Sequence, residues 1–123
     1  MSLASEMMGG GISAGAARAI NGQINSAVAA AGTTLGTATA LKVGHNSVTT
    51  VAASSGVSLP DGELGDEILV YNATGTNQLT VYPATSSQTI NQLSAGTGML
   101  LAVYTGVRLK KVTSTVWIGW LSA

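Results

Sequence analysis

Apolar positions recur with two different periods along the chain. Ile12, Ala16, Ile20, Ile24, Val28 and Ala31 follow one another at intervals of three or four. That spacing predicts one narrow stripe of a helix over residues 14–31, with Ser13 as its cap. Gly15 and Gly22 each weaken such a helix by roughly 1 kcal/mol against Ala, so it requires a partner surface. From residue 37 the period changes to two. Strands are predicted over 37–43, 47–53, 67–72, 78–82, 88–91, 98–105, 107–112 and 116–121. They are rich in Val, Ile, Leu, Thr and Tyr, and turn-like groups such as Gly44-His45-Asn46 and Pro60-Asp61-Gly62 separate them. The expected architecture is mainly β: a small antiparallel β-sandwich or barrel, jelly-roll-like, over residues 37–123, preceded by a helical N-terminal arm over residues 1–36.

Several of these strands do not alternate. Ile68-Leu69-Val70-Tyr71, Met99-Leu100-Leu101-Ala102-Val103-Tyr104 and Val116-Trp117-Ile118-Gly119-Trp120-Leu121 are apolar at both parities. An antiparallel strand with one wet face alternates apolar and polar residues. Either the N-terminal helix covers the second face, or another subunit does. The parity of Val107 and Leu109 differs from that of Val112, Val116 and Ile118. A bulge near Lys110-Lys111 or a turn near Thr113-Ser114 accounts for the slip.

Composition strengthens the second option. Of 123 residues only 8% are charged, with five basic and five acidic residues and no net charge. Such a chain has little colloidal repulsion, which favours a homo-oligomer or assembly subunit. It lacks the cations that a nucleic-acid partner demands. It has no Cys, and no apolar run long enough for a membrane helix. The first eleven residues lack a basic region and carry Glu6, which does not fit a secretory signal.

Candidate chemistry is sparse. His45 is the only histidine, and it falls in an expected turn with no nucleophile or orienting acid beside it. Asp61, Glu63, Asp66 and Glu67 crowd four acids together, but their spacing does not fit a twelve-residue calcium loop. Arg108, Lys110 and Lys111 crowd three bases. Their expected use is complementarity, with the basic strand of one subunit facing the acidic loop of the next. Asn72-Ala73-Thr74 fits a glycosylation pattern that is too common by chance to carry weight. No catalytic residue, cofactor or metal site is assigned. The candidate interface residues are Ile20, Ile24, Val28, Asp61, Glu63, Arg108, Lys110, Lys111, Trp117 and Trp120, with one Trp inward and the other at a contact.

The order of Val57-Ser58-Leu59-Pro60, Gly65, Ile68-Leu69-Val70-Tyr71-Asn72, Leu79-Thr80-Val81-Tyr82-Pro83, Thr89-Ile90-Asn91, Leu93-Ser94-Ala95-Gly96 and Val116-Trp117 resembles small β-rich accessory virion proteins of tailed bacteriophages. The resemblance covers residues 45–120. It implies a non-enzymatic structural subunit located in the virion, most of all a capsid decoration or cement protein. It also implies a homo-oligomer, with a trimer preferred, and partners such as the major capsid protein. A fibre, tail or neck component and a small carbohydrate-binding module are the alternatives. The binding module would need an exposed row of planar aromatics.

Overall fold

The computed structural model describes residues 24–42 and 44–122. Its ten strands are β1 (Ile24–Ala29), β2 (Thr39–Ala40), β3 (Gly44–Thr50), β4 (Gly56–Ser58), β5 (Glu67–Asn72), β6 (Leu79–Tyr82), β7 (Thr89–Ile90), β8 (Met99–Leu101), β9 (Gly106–Lys111) and β10 (Val116–Leu121). The first six alternate between two sheets. β1, β3 and β5 run parallel in a six-stranded sheet ordered β1-β3-β5-β9-β10-β7, and β2, β4 and β6 run parallel in a four-stranded sheet ordered β2-β4-β6-β8. Gly44 pairs with Ile68 and Gly56 with Thr80, each 24 positions on in sequence. The chain therefore winds as a stack of coils, a β-solenoid. Its last level is closed by antiparallel pairing of β8 on β6, β9 on β5 and β10 on β9.

This corrects the sandwich or barrel expected from strand spacing. A meander and a coil both begin a new strand about every ten residues. They differ in which strands pair, and that depends on contacts about two strands apart in sequence. The corners of the coil are turned by residues with positive φ, among them Gly65 (φ 88) between β4 and β5, Ser54 (φ 61) between β3 and β4, and Asn91 (φ 55) after β7. A left-handed residue costs Gly nothing and Asn little, so the chain turns sharply from one sheet to the other.

The helical arm is corrected as well. No helix occurs among the described residues, and Ile24–Ala29 forms strand β1 along the edge of β3. The part of the expected helix before Ile24 lies outside the described residues, as does Ile20. Ile24 and Val28, four apart, would share one side of a regular strand. A register irregularity between Asn25 and Val28 breaks that parity. Ile24 consequently points outward at 75% exposure, while Val28 packs against the core. Asn25, Ser26 and the β-branched Ile24 and Val28 are mediocre helix formers. The free edge of β3 offers them a ladder instead.

The space between the sheets is filled by alternate residues. Val48, Ile68, Val70, Val107, Leu109 and Trp117 come from one sheet, and Val57, Leu79, Val81, Met99 and Leu101 from the other. Two asparagines are also buried there. Asn46 donates to Lys42 O (2.9 Å) and Leu69 O (3.3 Å), and accepts from Asn25 Nδ2 (2.8 Å), its register partner on β1. Asn72 donates to Asn77 O (3.0 Å) and Leu101 O (3.2 Å), and accepts from the Thr74 hydroxyl (2.8 Å). Of these acceptors Lys42 O and Asn77 O lie between strands, so the two side chains satisfy backbone groups that the ladders leave out.

On the outer side of the four-stranded sheet the Tyr82 ring lies between two glycines, and its hydroxyl donates to Thr33 O at 2.9 Å. A Cβ on Gly98 would stand 2.5 Å from Thr80 Cγ2 and 3.0 Å from the Tyr82 ring, and one on Gly56 would stand 2.7 Å from the opposite ring edge. Gly98→Val is expected to destabilise the fold by about 1–3 kcal/mol through overpacking. Urea unfolding measures it, and an unchanged midpoint would show that the ring is not held there.

Candidate functional site

Strand register assembles a surface on the outer side of the six-stranded sheet. His45 pairs with Leu69, Leu69 with Arg108, and Arg108 with Trp120. These four side chains form one row across β3, β5, β9 and β10. The next residues of the same parity, Tyr71 and Gly106, form a second row, which Ser122 completes by donating its N–H to Gly106 O (2.8 Å) and accepting the Gly106 N–H at Oγ (2.8 Å). Because Gly106 has no side chain, the rows enclose a groove of about 320 Å³. Leu69, Tyr71, Trp120 and Leu121 give it apolar walls, and His45 and Arg108 add polar groups.

Leu69 is 36% exposed and Trp120 48% exposed. The Arg108 guanidinium sits 5.3 Å from the centre of the Trp120 ring and 3.9 Å from a Glu67 carboxylate oxygen. Both groups are open to water, so the ion pair contributes about 0–1 kcal/mol. Its structural effect is to keep the guanidinium over the indole ring. Lys110 stands next to this pair, exposed and opposite Glu67 in register.

Two of the expected interface residues lie inside the molecule. Trp117 is 0% exposed, and its indole donates to Gln88 Oε1 at 2.9 Å. Lys111 is buried as well. Its ammonium donates to Gly62 O (2.6 Å), pairs with Asp61 (3.4 Å), and lies 6.0 Å from the centre of the Trp117 ring. Gln88 Nε2 reaches the same Asp61 oxygen at 3.5 Å. Trp117, Gln88, Asp61 and Lys111 thus form one connected network between core and loop. The attraction between the basic strand and the acidic loop is realised within one chain, where Lys111 meets Asp61 and Arg108 meets Glu67. Complementary charge was visible in the sequence, but the partner's location was not.

Residues 61–66 form a tied loop. Glu63 N–H donates to Asp66 Oδ2 (2.8 Å), Asp66 N–H to Glu63 O (3.1 Å), and Gly65 N–H to Lys111 O (2.8 Å). His45, expected in a turn, lies on β3 and lines the groove. Among the described residues no three His, Asp or Glu side chains come close enough to hold a metal ion. Trp117 and Trp120 do not form an exposed aromatic row, because only Trp120 is outside. Asn72 of the glycosylation pattern is fully buried. Of the groove residues, Tyr71 was one of the aromatics considered from sequence for a groove or an interface, whereas Leu69 and Leu121 were not singled out. Their signal was the apolar run at both parities, which names the strands but not which residues become neighbours.

No family model matches the chain, and no curated protein matches it. The coil topology overturns the expected β-sandwich, and no homology supports a viral or capsid protein.

Proposed function

We propose that the protein is a non-enzymatic structural subunit that works inside a larger assembly and docks through the outer face of its six-stranded sheet. The observation carrying this reading is the row His45–Leu69–Arg108–Trp120 with its adjoining groove. It places an indole, a leucine and a guanidinium over the indole on one sheet face. Aromatic residues and Arg are enriched in interface cores and dominate their energetics. The rest of the chain supports the reading through its scarcity of charge, since covered apolar surface gains about 25 cal/mol per Å². The residue order over 45–120 makes a bacteriophage particle the first assembly to test.

The experiment compares the native chain with Leu69→Glu/Trp120→Ser, both side chains being outside the core. Sedimentation across concentration, alone and with purified particles, reads association. The double variant is expected to keep the native far-UV spectrum and melting profile and to lose association. Full association by the folded double variant would overturn the reading. So would a native chain that stays single and binds no particle.

A further inference from the structure

We propose that the occupant of the groove is a second copy of this chain, whose Glu63-Leu64-Gly65-Asp66 loop seats beside Trp120. The inference rests on the docking-face reading above and names the partner. Leu64 is 65% exposed at the tip of the acidic loop, a large aliphatic side chain in water between two carboxylates, Glu63 and Asp66. The groove is its complement. Its walls are apolar, Arg108 and His45 stand at its side, and no acid lines it. Among the described residues the ion pairs are Arg108–Glu67 and Lys111–Asp61, so Glu63 and Asp66 have none.

The loop is held ready for docking. The reciprocal bonds between Glu63 and Asp66, the Gly65 N–H on Lys111 O and the Lys111 ammonium on Gly62 O fix its shape. A Cβ on Gly62 would fall 2.6 Å from Asp66 Oδ2, so a side chain there would push the carboxylate off the Glu63 N–H. A preformed loop loses little conformational freedom when it binds. The same ties prevent the loop from filling its own groove. They anchor it at Lys111, the last residue of β9, while the groove opens at Gly106–Arg108, the first half of that strand. Arg108 is three residues away, about 10 Å at the rise of a strand. Each copy therefore offers one loop and one groove. Two copies can exchange them reciprocally, and more copies can link head to tail.

The test uses a loop variant, Leu64→Glu, and a groove variant, Trp120→Ser, with Arg108→Glu as a second groove variant should Trp120→Ser fail to fold. Sedimentation equilibrium and native mass spectrometry read the mass of each chain alone and of an equimolar mixture. Each variant alone is expected to associate about tenfold more weakly, or worse, than the native chain. The mixture is expected to recover mixed pairs, because the groove variant still offers a loop and the loop variant still offers a groove. Undiminished association of Leu64→Glu, or a mixture that stays single-chain, would overturn the loop-in-groove contact. If Leu69→Glu/Trp120→Ser abolishes association in that case, the docking face survives and only its occupant changes. If none of the variants alters association, both readings fall.

Discussion

Trp117→Ala is expected to remove about 3–5 kcal/mol of stability. Trp117 is the largest fully buried side chain, so truncation leaves a cavity that rigid sheets on both sides cannot collapse to fill. It also removes the N–H that Gln88 Oε1 accepts and the ring beneath the Lys111 ammonium. Gln88 retains the Ala84 N–H at 3.2 Å, so the network is weakened without losing every bond. At roughly 4–8 °C per kcal/mol for a domain of about this size, the melting temperature should fall by about 12–40 °C. Trp117→Phe keeps most of the packing and should cost markedly less. Denaturant unfolding followed by far-UV circular dichroism measures both. A loss under about 1 kcal/mol for the alanine variant would show that Trp117 does not hold the sheets together.

The second large effect is expected at Asn46. Asn46→Leu keeps the branching and number of side-chain heavy atoms, yet a leucine is bulkier and offers neither donor nor acceptor. Lys42 O and the Asn25 amide lose their partner, and Leu69 O loses a further donor. Each group that water does not reach costs about 1–3 kcal/mol. The damage should concentrate in the first coil, because the Asn25–Asn46 bond joins β1 to β3. Hydrogen exchange is therefore expected to accelerate across Ile24–Ala29 before it accelerates in β9. Asn25→Leu, at a partly exposed position, should show a smaller effect. Equal protection of β1 in the native and Asn46→Leu chains would remove the ladder from the account.

Some of this was legible in the residues. The runs at 67–72 and 116–121 match β5 and β10 from end to end, because both carry β-branched and aromatic residues between clear turn signals. Gly56-Val57-Ser58 was missed as a strand. It is three residues long and has meaning only beside Thr80-Val81-Tyr82. Where the expected helix reaches the described residues, Ile24–Ala29 forms β1 instead, because the stripe was narrow and an open strand edge competed for its backbone. Parallel stacking depends on pairing 24 residues apart, which no local period reveals.

The site was legible in its ingredients and not in its arrangement. Trp120 and Arg108 were singled out together, and they do meet at 5.3 Å. Leu69 and His45 join them only through the register of β3 and β5. Lys111 looked like a surface candidate by type, but strand parity turns it inward; of the two tryptophans, expected one inward and one at a contact, Trp117 is the inward one. The loop brings Gly62 O and Asp61 to the buried Lys111 side chain from 49 and 50 residues away.

The claim on which the functional account stands is that the outer face around Trp120 is covered when the protein works. Hydroxyl-radical footprinting of Trp120 addresses it directly, with exposed Tyr104, which does not line the groove, as the internal reference. The account predicts that Trp120 oxidises several-fold more slowly in the concentrated or assembled protein than in dilute solution, while Tyr104 reacts equally in both. An equal Trp120 rate in both states, with assembly verified by mass, would contradict it.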